Sequence, residues 1–358
     1  MVIFDGINMS MLRKALSELT VRALAAHPIG TLMQPLRSRC VPVFMLHRIA
    51  DPRHGVRGHP LALIERALSY LTHHGYTGIS IHELAQALID KRPLPPRAVA
   101  FTLDDGFQEQ AELALPLFER YRIPVTLFMA TDMLDKQSWS WDYQLEFIVT
   151  RTLLSHVNIR LAARSFAAAL DDEGHKRQFI RTLRSHLKSQ PIESTHQALD
   201  QLAFTLGVRV PASAPIGYQP MTWAQARALE SDCIQFGPHT CRHLILTQMG
   251  EDDARREISQ SWQRLQDELR HPVPIFCYPT GRPDLDFGAR EKQMVRKAGM
   301  IAALSSEPGY IDIGRHRRND IFALRRFSFT DNISHFIQYC SWIERAKELT
   351  FQRIKPRL

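Results

Sequence analysis

Short apolar runs of strand length recur from residue 41 onward: VPVFML (41–46), AVAFTLD (98–104), PVTLFMA (124–130), CIQFG (233–237), PIFCYP (274–279) and MIAALS (300–305). Between them lie segments of helical period, among them 61–74, 82–91, 107–121, 251–270 and 287–298. A continuous apolar run of four to eight residues fits a strand covered on both faces, and repeated strand–helix alternation predicts a parallel sheet or barrel. In such folds, functional residues gather where strands end and the following loops begin.

Two stretches fall outside this rhythm. Residues 143–210 carry charge-rich pieces such as DDEGHKRQFIRTLRSHLK and no strong strand pattern, so they are expected to form an all-helical insertion between the strands at 124–130 and 233–237. Near the N-terminus, Leu12, Leu16, Leu19 and Ala23 recur at helical spacing while Arg13, Lys14 and Arg22 bias the other surface positive. That helix would either dock on the main domain or lie on a membrane surface. The expected organisation is an extension over 1–39, an α/β domain over 40–340 including the insertion, and a basic tail over 341–358. The Pro-rich KRPLPPRA (91–98) reads as a connector launching a strand.

Composition narrows the partners. The 358 residues contain 45 Lys and Arg against 37 Asp and Glu, and the net charge of +8 suits anionic partners. Nucleic acid is not expected, because the best basic feature, RHRR (315–318), is short and no aromatic platform is interleaved with it. Five cysteines without paired spacing, Cys40, Cys233, Cys241, Cys277 and Cys340, point to a reducing compartment. With no run of roughly 20 apolar residues and no signal-peptide pattern, the expectation is a cytoplasmic protein, with peripheral membrane contact as the alternative.

The chemistry sits at predicted strand ends. In AVAFTLDDGF, Asp104 and Asp105 close a strand before Gly106, so their side chains leave on different sides and can take different tasks. A helix cap would be the plain alternative. In FGPHTCRHLILT, His239 and His243 stand four apart, a spacing shared by metal sites and by ordinary surface helices, with Cys241 between them. Two imidazoles and a carboxylate from another strand end form a common catalytic metal set, so the pairs together favour metal binding. At FCYPTGRPD, the turn Pro279–Thr280–Gly281 can aim an N–H at a reacting oxygen, and PVFMLHRIAD ends in His47, a group suited to proton donation.

In order along the chain, TLDDG (102–106), HTCRH (239–243) and FCYPTG (276–281) resemble the three motifs of the polysaccharide deacetylases of the NodB-homology type, carbohydrate esterase family four. PVFMLHRI (42–49), LSYLTHHGYTGISIHEL (68–84), YRIPVTLFMATD (121–132) and MTWAQARALE (221–230) are also similar, so the resemblance runs from about residue 41 to 305 apart from the insertion. It implies a distorted (β/α) barrel of about seven parallel strands and metal-dependent removal of N-acetyl groups from amino sugars. By the same resemblance, Asp105, His239 and His243 hold a divalent metal, zinc being the first expectation. Asp104 is then the general base, and the Thr280 N–H faces the oxyanion. Cys241 and Cys277 are expected to pack nearby without binding metal.

The sequence departs from the family pattern in two places. The late strand reads FALRRFSF (322–329) where many members carry Leu-x-His, so the proton for the departing amine is assigned to His47, as in the rearranged subgroup with an early histidine. His316 and His335 are the other candidates. Cys277 stands where many members have an arginine that orients the base, a task that Arg325, Arg326 or Arg48 could take instead. Asp142 in WSWDY can orient the acid or simply start a helix, and Tyr278 is a further supporting residue. The expected partner is an N-acetylated carbohydrate of a polysaccharide or oligosaccharide; the alternative is a lipid-linked or nucleotide-linked amino sugar, deacetylated or deformylated. A noncatalytic barrel would be expected to lack at least one of Asp104, Asp105, His239 and His243, and all four are present.

Overall fold

A computed structural model describes residue 21 and residues 40–136, 138–161, 163–313 and 320–347. The expected N-terminal helix, His316, the RHRR stretch and most of the C-terminal tail lie outside the described residues. In chain order the elements are β1 (Cys40–Val41), β2 (Val43–Leu46), α1 (Leu61–His73), β3 (Thr77–Gly78), α2 (Ile81–Asp90) and β4 (Ala98–Asp105). A π-helical turn (Gln110–Ala114) leads into α3 (Leu115–Tyr121), then β5 (Val125–Met129), α4 (Thr131–Lys136) and α5 (Trp141–Arg151). There follow β6 (His156–Leu161), β7 (Arg164–Ala169), α6 (Glu173–Leu187), α7 (Ile192–Thr205), α8 (Trp223–Leu229) and β8 (Ile234–Pro238). The chain continues through α9 (Glu251–Glu268), β9 (Ile275–Cys277), α10 (Ala289–Lys297), β10 (Ala302–Leu304), β11 (Ile311–Asp312), β12 (Phe327–Ser328) and α11 (Ile333–Cys340).

Five parallel strands run in the order β12-β2-β4-β5-β8, with β3 also on β4, and β9 and β10 form a second parallel pair. Backbone hydrogen bonds join these two pieces. Val273 N–H donates to Phe236 O on β8 at 2.8 Å, while Ala303, Leu324 and Ser305 donate to Ile321, Ala303 and Leu324 carbonyls at 2.8–2.9 Å, tying β10 to the approach to β12. The result is the expected distorted barrel, whose seven main strands are β2, β4, β5, β8, β9, β10 and β12.

Strand alternation sorts the side chains into two layers. Phe44, Leu46, Val99, Phe101, Leu103, Val125, Leu127 and Phe236 pack outward beneath the helices, whereas Val43, Ala98, Ala100, Phe128, Ile275, Cys277, Ala302, Leu304 and Leu324 fill the barrel. At Gly237 an added Cβ would lie 2.7 Å from the Phe128 ring and 2.9 Å from Ile275 O, so only glycine lets β8 approach β9 this closely.

The insertion is not all helical. Between α5 and α6 lies an antiparallel hairpin, β6 against β7, with Val157, Ile159 and Leu161 buried in strict alternation. These residues pack with Leu145, Ile148, Phe179, Leu183, Leu199 and Leu202 of α5, α6 and α7, in a cluster continuous with Phe276 and Tyr278 of the barrel. An alternating HVNIRL can satisfy its backbone only by pairing with a second strand, which the following RSFAAA supplies.

Candidate active site

The same alternation builds the site. On β4 the inward row is Ala98, Ala100, Thr102 and Asp104, and on β2 it is Val43 and Met45, continuing to His47 just beyond the strand end. Pairing Val43 with Ala100 and Met45 with Thr102 therefore places His47 beside Asp104, and His47 Nε2 lies 3.6 Å from Asp104 Oδ2. On the other side of β2, at the approach to β12, Leu324 and Arg326 point inward while Arg325 points out to Glu307 at 2.8 Å.

Arg326, 1% exposed, takes the place that the sequence left open. Its guanidinium donates to Asp104 Oδ1 at 2.8 Å, Thr102 Oγ1 at 3.0 Å, Ser305 O at 2.9 Å and Cys277 Sγ at 3.1 Å. Burial by itself would raise the Asp104 pKa, but Arg326, His47 and His239 outweigh it and hold the carboxyl well below the usual range. Arg48 does not reach this centre. It pairs with Glu109 at 2.6 Å and lies over the Phe107 ring, 4.0 Å from its centroid.

Asp105 ends β4 with φ 86°, followed by Gly106 at φ 85°, and this left-handed turn carries its carboxylate away from Asp104. Its Oδ1 lies 3.6 Å from His239 Nε2 and 3.2 Å from His243 Nε2. The two histidines do not share a helix: HTCRH is a loop after β8, with Thr240 at φ 64° and His243 at φ 57°. Backbone in these sparsely populated regions costs about 1–3 kcal/mol per residue and persists only where the surroundings enforce it. Here Glu257 of α9, 4% exposed, accepts the Cys241 and Arg242 N–H groups at 2.9 Å each, and the Thr240 and Cys241 carbonyls accept N–H groups from Thr131 and Asp132 of α4.

The donor set fits a divalent metal. His239 Nδ1 is 2.7 Å from Cys277 O, so it carries the proton and Nε2 presents a lone pair. Burial, with His243 adding to it, lowers the His239 pKa to about 4, which keeps the ring neutral. Asp105 Oδ1 is buried without a hydrogen-bond partner, so a carboxylate oxygen and two imidazole nitrogens converge where a bound cation would make the contact favourable. Ligands at about 2.0–2.1 Å from a tetrahedral ion stand roughly 3.3 Å apart, close to the observed spacing. Cys277 Sγ groups with Asp104 and His239, but its buried thiol is raised well above the ordinary thiol pKa and is already engaged by Arg326, which argues against a ligand thiolate.

Three supporting residues have no counterpart among the sequence expectations. Tyr143 of α5 donates its hydroxyl to Asp105 Oδ2 at 3.0 Å. Gln110, fully buried, accepts the Gly106 and Phe107 N–H groups and donates to the Asp104 and His47 carbonyls, tying the ends of β4 and β2 together. Glu257 is the third. A glutamine four residues after Asp-Asp-Gly and a glutamate on the apolar face of 251–270 are the only signals the sequence holds for two of them.

The remaining expected residues divide. Asp142 lies in the first turn of α5 and accepts the Ser140 hydroxyl; burial opposes its ionisation, and the nearby His243 and Arg184 favour it. Tyr278 is stacked flat on Phe287 at 3.8 Å, within the apolar cluster. His335 is exposed on α11. Thr280 and Gly281, with φ 56° and 62°, form the tight turn after β9.

Comparison with known proteins adds three findings. The sequence matches the polysaccharide deacetylase family over residues 91–302, more than half of the chain. No curated protein matches it significantly. Among solved structures, the fold is similar to deacetylase PplD of Streptococcus pyogenes in complex with acetate, with 16% identity, a TM-score of 0.53, and 88% of this chain and 99% of that one covered. It is also similar to IcaB from Ammonifex degensii, at 14% identity and TM-score 0.53 over 84% and 97% of the two chains, and to a de-N-acetylase from Aggregatibacter actinomycetemcomitans, at 14% and 0.50 over 83% and 99%.

Proposed function

The chain belongs to the polysaccharide deacetylase family and is a hydrolase of amide bonds, and from that premise we propose that it removes N-acetyl groups from amino sugars at the Asp104–Asp105–His239–His243 centre. Asp105, His239 and His243 would hold a divalent metal, zinc by the Asp-His-His donor set. When bound, such an ion polarises the acetyl carbonyl and lowers the pKa of a water at the site.

The chain's own groups handle the protons. Asp104 accepts one from the attacking water. As an anion locked to Arg326 it is a weak base, so it acts on a water already made acidic; the lock at Oδ1 fixes the direction of Oδ2, which accepts the Cys277 S–H at 3.7 Å and lies 3.6 Å from His47 Nε2. The turn N–H of Thr280 donates to the oxyanion as the carbonyl becomes tetrahedral. His47 protonates the departing amine; half-exposed at the mouth and 3.6 Å from Asp104, it handles the second proton within reach of the group that took the first. The extension, barrel and tail boundaries at 39 and 341 form part of this reading, with the barrel carrying the chemistry.

The observation that carries the proposal is the convergence of buried, unpartnered Asp105 Oδ1 with two imidazole nitrogens beside the Arg326–Asp104 pair. The test is acetate release from N-acetylated oligosaccharides with and without chelator, repeated for Asp104→Asn and His47→Ala. Turnover that survives exhaustive chelation, or an Asp104→Asn protein with full activity, would sink it.

A further inference from the structure

Beside this centre lies a second feature that the proposed chemistry leaves unused, a cleft of about 600 Å³ between the loops after β2 and before α8 and the insertion helix α6. Six arginines line it, Arg48, Arg57, Arg151, Arg177, Arg181 and Arg184, against two glutamates, Glu146 and Glu173. Three of the six are engaged: Arg48 with Glu109, Arg57 with Glu173, and Arg184 with Glu146 at 3.5 Å. Among the described residues, Arg151, Arg177 and Arg181 have no carboxylate within ion-pair distance.

Arg177, Arg181 and Arg184 stand at i, i+4 and i+7 on α6, so they share one helix face. A row of like charges at that spacing is a local cost to the helix, which an anion in the cleft would reverse. The opposite wall is fixed in place. An added Cβ at Gly58 would lie 2.3 Å from Arg48 O, one at Gly217 would lie 3.0 Å from His54 O, and Arg48 donates to Gly217 O. Guanidinium groups on preset walls suit planar or tetrahedral oxyanions, which they bind through paired N–H donors.

Position links the cleft to the reaction. Arg48 follows His47 directly, and Glu146 and Thr150 of α5 line the cleft one and two turns beyond Tyr143, roughly 5 and 11 Å along the helix from the residue that holds Asp105. We infer that the cleft binds an anionic group, a carboxylate or phosphate, on the saccharide whose acetamide lies at the catalytic centre, so the substrate is an acidic N-acetylated glycan. This rests on the deacetylase reading for the acetamide but not for the anion.

Binding separates the two. The Asp104→Asn protein, metal-loaded and unable to turn over, is titrated by calorimetry with two pairs of ligands: chitotetraose against a hyaluronan tetrasaccharide, which adds uronate carboxylates to N-acetylglucosamine, and N-acetylglucosamine against N-acetylglucosamine 1-phosphate. At low salt at least one charged saccharide binds about tenfold tighter than its neutral counterpart, chitotetraose or N-acetylglucosamine, and which one does so names the anion. The advantage shrinks with ionic strength and disappears on adding Arg177→Ala and Arg181→Ala, both exposed positions where alanine favours the helix, while binding of the neutral sugars is unchanged. Equal binding of charged and neutral saccharides, or an advantage that survives the double substitution, overturns the assignment. If the wild-type protein releases no acetate yet the charged preference holds and depends on these arginines, the catalytic reading fails and the cleft stands.

Discussion

Replacing Arg326 with methionine isolates the buried ion pair at the heart of the site. Two unit charges 2.8 Å apart attract by about 6 kcal/mol at an effective dielectric near 20, part of which offsets the cost of burying both. Methionine keeps much of the volume but removes donors to Asp104, Thr102, Ser305 and Cys277 together, leaving a carboxylate 1% exposed without its counter-charge. Breaking one side of such a pair costs about 3–5 kcal/mol. Asp104 can escape the penalty by taking up a proton, so its pKa rises and the acid limb of the activity profile moves to higher pH. Urea denaturation should therefore report a lower midpoint with unchanged slope, and acetate release should be lost at neutral pH and partly regained toward alkaline pH. In an Asp104→Asn background the same substitution should cost markedly less, since no charge is stranded. Combining Cys277→Arg with Arg326→Ser returns a guanidinium from β9, whose residue 277 already touches Asp104 inside the barrel, and should recover part of the acid limb. A loss below about 1 kcal/mol, with the activity profile of Arg326→Met superimposed on that of the parent, would refute the argument that this pair positions and ionises the base.

Tyr143→Phe removes one hydrogen bond to Asp105, and a competitive chelator titration should show metal affinity falling by about tenfold with little change in fold stability. In the chelated protein, His239 has a folded-state pKa near 4 against an ordinary 6.5, so the unfolded state binds the extra proton between those values. Stability is then complete above pH 6.5 and falls by about 3 kcal/mol as pH drops toward 4; flat stability across that window in denaturation curves would contradict the burial of a neutral imidazole. Gly237→Ala forces a Cβ against Phe128 and the Ile275 carbonyl and should lower stability by about 1–3 kcal/mol, read as a reduced thermal midpoint.

What the sequence disclosed and what it withheld follow one physical division. Strands covered on both faces must be apolar throughout, so AVAFTLD and PVTLFMA announce themselves, and the reactive Asp, His and turn residues stand out because polar groups at the ends of such runs need a reason. The hairpin at 156–169 was hidden by its surroundings: HVNIRL alternates as a half-buried strand should, but six residues set among long charged helices carry little weight against the helical period on either side. Choosing among Arg48, Arg325 and Arg326 required register. Once Phe327 pairs with Phe44, an outward residue, Arg326 must face inward and Arg325 outward, and no property of the local sequence fixes that pairing. Gln110, Tyr143 and Glu257 were less legible still, because each acts on a backbone group or carboxylate brought near only by tertiary closure, and buried glutamine and glutamate are unremarkable letters until the donors they accept are known. The adjacent aspartates show why both kinds of information are needed. Sequence gives the pair, but their division of labour comes from Asp104 lying on the inward row beside Arg326, and from the left-handed turn at Asp105 that swings the second carboxylate toward the histidines.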